Sequence, residues 1–400
     1  MEPLSLYLHI PFCTVKCPYC DFNTYSRMEG IIPAYLEAFQ KEIRLWGSEV
    51  GHNYQVQTIF FGGGTPSLLT EDQVRSVLDT CRKWFLVAEN AEISLEANPE
   101  TVTNDYMKGL LQAGINRLSM GAQSFDEAEL KWLGRTHGSE TIITAYEAAR
   151  DAGFDNISLD LIYGLTDQSI STWERTLRKA IQLRPDHLSL YALTIEEGTP
   201  FGKQAARGLL KHPDPDIAAD MYLLAAEALE AEGYTHYEIS NWALDGHACR
   251  HNTTYWEDRQ YLGFGPGAHS YFAAYRFSDI RSPRKYIERL GHPAKERTTA
   301  DQDTNRLLDE EAIRLLSPID MMEHIERDME MSETMVLGLR LVKGVSKERF
   351  RARFGIGIKE IYGDIIEELK ALGLLEEAEG CIRLTPRGWL LSNEAFVRFL

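Results

Sequence analysis

The stretch LSLYLHIPFCTVKCPYC, Leu4 to Cys20, joins an apolar run to three closely spaced cysteines. Leu4–Ile10 is short and follows an acid rather than a basic segment, so it reads as a strand and not as a signal peptide. Cys13, Cys17 and Cys20 then stand in CxxxCxxC spacing, while Cys81, Cys249 and Cys381 are scattered and form no second motif. A cubane [4Fe–4S] cluster needs four ligands, usually thiolates. Three cysteines in one loop hold three irons and leave the fourth open to a non-protein ligand. Zinc is the competing reading, but it wants four ligands, usually as two spaced pairs. His9, with Pro11 between it and Cys13, is the candidate for that fourth ligand. Incidental thiols are a third reading, and a disulfide framework is disfavoured in a long chain with few cysteines and no secretory signal. The spacing favours the cluster.

Outward from this loop, the first half of the chain alternates apolar runs with helical patterns. The runs are Leu4–Ile10, Val56–Phe61, Ile93–Ala97, Arg117–Met120, Ile157–Ile162 and His187–Leu193. The helical patterns between most of them are Pro33–Trp46, Glu71–Phe85, Asn104–Ala113, Glu140–Ala152 and Ser171–Leu183. Near-continuously apolar strands with helices between indicate an α/β fold whose parallel sheet is covered on both faces. Six units predict a partial (β/α)6 barrel rather than a closed eight-fold one, with the ligand at the carboxyl ends of the strands. Residues 1–205 are assigned to this barrel. Lys203–Asp216, with a glycine, two prolines and mixed charge, reads as a linker before a helix at Ile217–Glu232, and 206–295 as a barrel extension. A second polar linker, Glu296–Asn305, opens a C-terminal domain, 296–400, expected to be mostly helical with little strand signal. Its end, a helix at Ile358–Leu372 followed by LLEEAEGCIRLTPRGWLL, reads as a helix and two short strands, a winged-helix-like module.

Composition limits the partners. A chain of 400 residues holds about two or three domains. No apolar run reaches the roughly 20 residues of a membrane-spanning helix, which points to the cytoplasm. The formal net charge of −18 argues against nucleic acid, whose binding is driven by counterion release to a basic face. It is equally poor for unaided docking on an anionic membrane. The winged-helix-like region is no exception, with 20 acids to 14 bases from Asp301 to Leu400, and a packing or lid role is expected of it. A small ligand, a cofactor or a protein partner remains.

Polar residues gather at the strand ends. FFGGGTPS places Gly62, Gly63 and Gly64 ahead of Thr65 after the second strand. Glycines let backbone approach a ligand, and the missing lysine separates this turn from a phosphate loop. LEANP places Glu96 at the end of the third strand, MGAQSFD places Gln123 after the fourth, and Arg135 follows a short helix. Asp160 lies within the fifth strand, in ISLDLIYG. A carboxylate there is costly unless hydrogen-bonded or paired, and Arg135, another strand-end residue or a ligand hydroxyl could serve. Taken singly, Asp160 reads first as a satisfied core ion pair, and Glu96, Gln123 and Arg135 as rim residues.

Together with the cysteines these residues say more. YLHIPFC…CPYC, GGGTP, EANP, GAQSF and LDLIYGL stand in an order and spacing that resembles the radical S-adenosylmethionine superfamily. Within it, nearly the whole chain resembles the group containing the oxygen-independent coproporphyrinogen III oxidase. The resemblance implies that Cys13, Cys17 and Cys20 bind a [4Fe–4S] cluster whose open iron is chelated by the amine and carboxylate of S-adenosyl-L-methionine. It implies that Gly63 and Gly64 present carbonyls to the ammonium beside Thr65, and that Arg135 and Gln123 take the carboxylate. Glu96 and Asp160 would accept from ribose hydroxyls or the amine, and Tyr7 and Tyr19 would pack on the ligand.

Two departures separate this chain from the oxidase. The oxidase has a further cysteine two residues after the third, where this chain has Phe22, and a long N-terminal arm, where only 12 residues precede Cys13. Both point away from decarboxylation of coproporphyrinogen and toward the sister family of heme chaperones, HemW. CRHNTTYW adds His251, Asn252, Tyr255 and Trp256, in an HNxxYW pattern similar to that family's heme-binding signature. Imidazole is a common axial ligand of heme iron, and Tyr and Trp offer broad faces to a porphyrin. On residue types alone, a turn capped by His251 and Asn252 with the aromatics in the core is the simpler reading. His247, Cys249 and His269 are alternative ligands, and in an extended segment residues 247, 249 and 251 would share a face that also suits a metal. The expectation is a cytoplasmic heme chaperone carrying a [4Fe–4S] cluster, S-adenosylmethionine and heme. It would deliver heme to a heme-accepting respiratory protein, reaching a membrane only through that partner. The alternatives are coproporphyrinogen III oxidase or another tetrapyrrole-modifying radical enzyme, and a zinc-stabilised binding protein without a redox role.

Overall fold

The computed structural model describes residues 1–291 and 308–400, so the linker read at Glu296–Asn305 lies outside the described residues. Six strands stand side by side in chain order, all parallel: β1 (Glu2–Ile10), β2 (Tyr54–Gly63), β3 (Leu86–Ala97), β4 (Arg117–Gln123), β5 (Ile157–Tyr163) and β6 (His187–Ala192). Between them run α1 (Ile32–Val50), α2 (Glu71–Trp84), α3 (Asn104–Ala113), α4 (Glu127–Trp132), α5 (Ser139–Ala152) and α6 (Ile170–Gln182). This is the partial (β/α)6 barrel. Helix α2 shows the local logic. Thr70 and Gln73 cap each other's backbone N–H groups at 3.3 and 2.9 Å. Val74, Val77, Leu78 and Cys81, spaced to share one helical face, are buried.

The strands differ from the near-continuously apolar reading in one respect that matters for function. Their outward residues, among them Leu6, Leu8, Ile59, Phe61, Leu95, Met120, Leu159 and Leu190, pack into the main core beneath the helices. The alternate, inward residues are largely polar: Ser5, Thr58, Glu92, Ser94, Arg117, Ser119, Ser158, Asp160, His187 and Ser189. A closed eight-fold barrel fills its centre with branched apolar side chains. This open one surrounds a chamber instead.

The sheet continues beyond the barrel on both sides. Helices α7 (Pro200–Ala206) and α8 (Pro215–Ala231) follow β6, so the segment read as a linker begins in a helix. Strands β7 (Thr235–Glu238) and β8 (Asn241–Ala243) add antiparallel to β6. Strand β9 (Tyr261–Phe264) pairs parallel with the other edge of β1. Strands β10 (His269–Phe272), β11 (Tyr275–Asp279) and β12 (Ile319–His324) extend antiparallel from β9. The resulting order is β12-β11-β10-β9-β1-β2-β3-β4-β5-β6-β8-β7. Strand β12 falls in a region expected to have little strand signal. It is an edge strand with only Ile319 buried, so no apolar run marks it.

A second hydrophobic cluster, from Met331 to Phe399, lies past β12. It is built by helices Arg327–Gly338, Lys347–Phe354 and Ile358–Ala371 around a three-stranded sheet of Val345–Ser346, Cys381–Leu384 and Leu375–Ala378, a winged-helix-like arrangement. The change of core thus follows His324, inside the span read as starting at 296. No helix among the described residues is long and apolar enough to cross a membrane.

Candidate functional site

The cysteine loop leaves β1 at Pro11 and is tied back by backbone hydrogen bonds. Tyr25 N–H donates to Pro11 O (2.7 Å), Gly64 N–H to Ile10 O (2.8 Å) and Thr65 N–H to Phe12 O (2.8 Å). The glycines after β2 are demanded by this packing. A Cβ on Gly63 (φ 109°) would lie 2.4 Å from the His9 ring, and one on Gly64 would lie 2.6 Å from Phe12 O. The close approach they permit is first of the chain to itself.

Cys13, Cys17 and Cys20 are free thiols lining one cavity. Thr65 O–H donates to Cys13 Sγ and Arg135 Nη1 to Cys17 Sγ, each at 3.6 Å. Burial raises the pKa of Cys13 and Cys20, and the neighbouring thiols add to the effect. His9, the zinc candidate, has both ring nitrogens engaged, Nδ1 with Tyr7 OH (3.0 Å) and Nε2 with Asn23 O (3.0 Å). Among the described residues no three His, Cys, Asp or Glu side chains converge on a point that could hold a single metal ion. Three thiols on one wall with donors aimed at sulfur fit a cluster instead, because its irons are separate points of attachment.

Arg135 and Gln123 crowd over Gly121, where a Cβ would lie 2.8 Å from Gln123 Nε2 and 3.6 Å from Arg135 Nη2. Gln123 holds a left-handed φ of 67° at the end of β4, a strained conformation of the kind that clusters at ligand sites. Arg135 Nη2 donates to Asn98 Oδ1 (2.8 Å) and Gly121 O (3.1 Å). It is therefore not the partner of Asp160. That carboxylate accepts from Ser119 Oγ (2.9 and 3.0 Å) and Ser158 Oγ (3.0 Å), hydroxyls on the inward face of β4 and β5. Glu96 accepts from Gly63 N–H (3.0 Å), and burial, then the proximity of Asp160, raises its pKa to about 7. Tyr7 stacks on Phe60, and Tyr19 packs against Leu133, Ile162, Leu165 and Leu193.

The HNxxYW segment is not extended. Arg250–Trp256 forms helix α9 with Cys249 at its N-cap, so residues 247, 249 and 251 do not alternate along a strand. Glu92 of β3 receives the N–H of Arg250 (2.9 Å) and of His251 (3.0 Å), an acid at a helix N-terminus. Burial pushes the Cys249 thiol up to about 12. His251 is 1% exposed, with Nδ1 on Thr58 Oγ1 (2.7 Å) and Nε2 on Tyr255 OH (2.9 Å). Its ring stacks on Phe60, and burial lowers its pKa to about 3, which keeps it neutral. His269, the first residue of β10, also faces this cavity, and its ring has no hydrogen-bond partner among the described residues.

Tyr7, Cys13, Cys17, Tyr19, Cys20, Gly63, Gly64, Thr65, Glu96, Gln123, Arg135, Asp160, His251, Asn252, Tyr255 and Trp256 all line this one cavity, of about 1150 Å³. Single small-molecule sites span roughly 300–1,000 Å³, so the chamber has room for more than one ligand. Sequence reasoning missed Thr58, Glu92, Asn98, Ser119 and Ser158, which hold the others in place. A signal existed in the period-two series Glu92-Ser94-Glu96 and Ser158-Asp160, which put polar groups on the face that carries the motif acids.

Residues 7–180 match the Radical SAM superfamily, and residues 325–391 match the HemN C-terminal domain. The heme chaperone HemW of Bacillus subtilis is 36% identical over 397 residues, 99% of each chain. The heme chaperone HemW of Escherichia coli is 34% identical over 411 residues, 100% of this chain and 99% of the relative. Coproporphyrinogen III oxidase (HemN) from Escherichia coli, a radical SAM enzyme, superposes with a TM-score of 0.80 at 24% identity, covering 100% of this chain and 90% of that one, a likeness of fold. The radical SAM scaffold carries a [4Fe–4S] cluster and S-adenosylmethionine, and the thiol loop and its cavity fit both. With this identity sustained from end to end, the chain belongs to the HemW family of the radical S-adenosylmethionine superfamily.

Proposed function

We propose that this protein is a cytoplasmic heme chaperone, which takes heme into the cavity shared with its cluster and S-adenosylmethionine and hands it to a respiratory acceptor. One observation carries the reading: the HNxxYW helix and the thiol loop, more than two hundred residues apart in sequence, open onto the same chamber. Cys13, Cys17 and Cys20 would hold the cluster, which when bound supplies an iron with an open position. Arg135 and Gln123 would take the carboxylate of S-adenosylmethionine, and Gly63, Gly64 and Thr65 its ammonium. Glu96 and Asp160 are the acceptors for its hydroxyls, with Tyr7 and Tyr19 as packing surfaces. Asn252, Tyr255 and Trp256 offer the porphyrin wall.

Two imidazoles compete for the iron. His251 is neutral, as a ligand must be, but it would have to exchange its Tyr255 bond for the metal. His269 has a ring without such a bond. The C-terminal module, whose core is separate, would act as a packing domain rather than a nucleic-acid reader.

The test is an absorbance titration with heme of anaerobically reconstituted wild type, His251→Ala and His269→Ala, followed by transfer to a heme-free acceptor. The wild type is expected to bind and transfer heme, and the variant lacking the axial ligand to lose the ligand-dependent band. A wild type that binds no heme would refute the reading. So would robust decarboxylation of coproporphyrinogen III in the presence of S-adenosylmethionine and reductant.

A further inference from the structure

Arg117 opens β4 and lines the cavity while only 2% exposed. A guanidinium stays charged in proteins and carries five N–H donors. None of the five is paired with an acceptor among the described residues, and Nε is fully buried without a partner. The nearby carboxylates are already engaged, Glu92 with the first N–H groups of α9 and Asp160 with serine hydroxyls. Their negative charges offset that of the guanidinium, but its N–H donors still lack an acceptor, a cost that a bound acceptor removes.

Its place in the chamber says which anion. Arg117 and Gln123 are the first and last residues of β4, about 20 Å apart at roughly 3.3 Å per residue. The cysteine end has its own arginine, Arg135, bonded to Asn98 and Cys17. Arg117 lies at the other end, where α9 begins, close enough to bear on the charge of His251. The rings of Phe60, Tyr7 and Tyr255 line the same chamber, with Tyr7 and Phe60 in one register row with Arg117. An amphiphilic ligand with a broad apolar face and an acid at its edge matches this layout.

We infer that Arg117 binds a carboxylate of the ligand held against α9, a propionate of heme. The inference rests on the heme reading above. The same carboxylate chemistry could come from the amino-acid end of S-adenosylmethionine, so the test separates the two sources. Heme and its dimethyl ester, which has no free carboxylate, are titrated into reconstituted wild type, Arg117→Met and Arg117→Lys. The affinity for S-adenosylmethionine is measured in parallel.

The wild type is expected to prefer the free acid. Arg117→Met should lose about 10- to 100-fold for the acid and nothing for the ester, with part of the preference restored in Arg117→Lys and S-adenosylmethionine affinity unchanged. Equal loss for acid and ester, or a loss confined to S-adenosylmethionine, overturns the inference. Undiminished heme affinity in Arg117→Met overturns the role of Arg117 alone, whereas a wild type that binds neither porphyrin overturns the heme reading as well.

Discussion

Glu96 and Arg135 show how a side chain's surroundings set its chemistry. Burial and the proximity of Asp160 bring the Glu96 carboxyl to about 7, against roughly 4.3 in an unfolded chain. Between those values the folded protein keeps a proton that the unfolded chain has lost. Stability therefore falls as pH rises from about 4.3 through 7 and stays reduced above that. Glu96→Gln keeps an acceptor for Gly63 N–H and removes the penalty. The ligand-free variant should melt close to wild type at pH 5 and above it at pH 8, and an equal shift at both would exclude this account. Arg135 donates to Cys17 Sγ as well as to Asn98. Arg135→Ala should weaken S-adenosylmethionine binding by about 10-fold or more, measured by equilibrium dialysis, with iron content unchanged. Unaltered affinity would remove Arg135 from the carboxylate site.

Helix α9 is seven residues long, too short to persist unaided, and it is held by a carboxylate from another strand. Glu92→Ala frees the N–H groups of Arg250 and His251, at a cost of about 1–2 kcal/mol for a lost cap. Heme affinity should drop while iron and S-adenosylmethionine binding stay as they were. Parallel loss of all three would mean that Glu92 supports the whole barrel. This coupling was not legible in the sequence, since Glu92 is an ordinary acid until strand register sets it beneath the helix. What was legible follows the same logic. Strands β1 to β6 and their helices announced themselves because each outward face, such as Leu118-Met120 or Leu159-Leu161, is an apolar run. The motif residues were readable because they cluster at strand ends. The serines around Asp160 and the strands β7 to β12 were not, because those strands are only three to six residues long and hydroxyls are commonplace in any sequence.

Across the whole molecule the C-terminal module is fastened to the end of the HNxxYW helix. Glu257 accepts from Lys343 Nζ (3.0 Å) and Arg349 Nη1 (2.9 Å), and Arg353 pairs with Asp258 (3.0 Å) and Glu330 (2.5 Å). The Asp258 side chain is 4% exposed, so Arg353→Ala leaves a buried acid unpaired, at a cost of about 3–5 kcal/mol. Hydrogen exchange should rise in Arg250–Trp256 and in Arg327–Gly338 but not in β2 to β5, and uniform protection would exclude a clamp. The sheet order has a further consequence, for synthesis. Strand β1 is the first to leave the ribosome, yet it lies between β2 and β9, so one of its edges waits for Tyr261–Phe264. At roughly 5–20 residues per second, on the order of 10–40 s separates the arrival of its two neighbours. During that interval the nascent chain offers an unpaired backbone edge beside three thiols that the finished sheet has not yet enclosed.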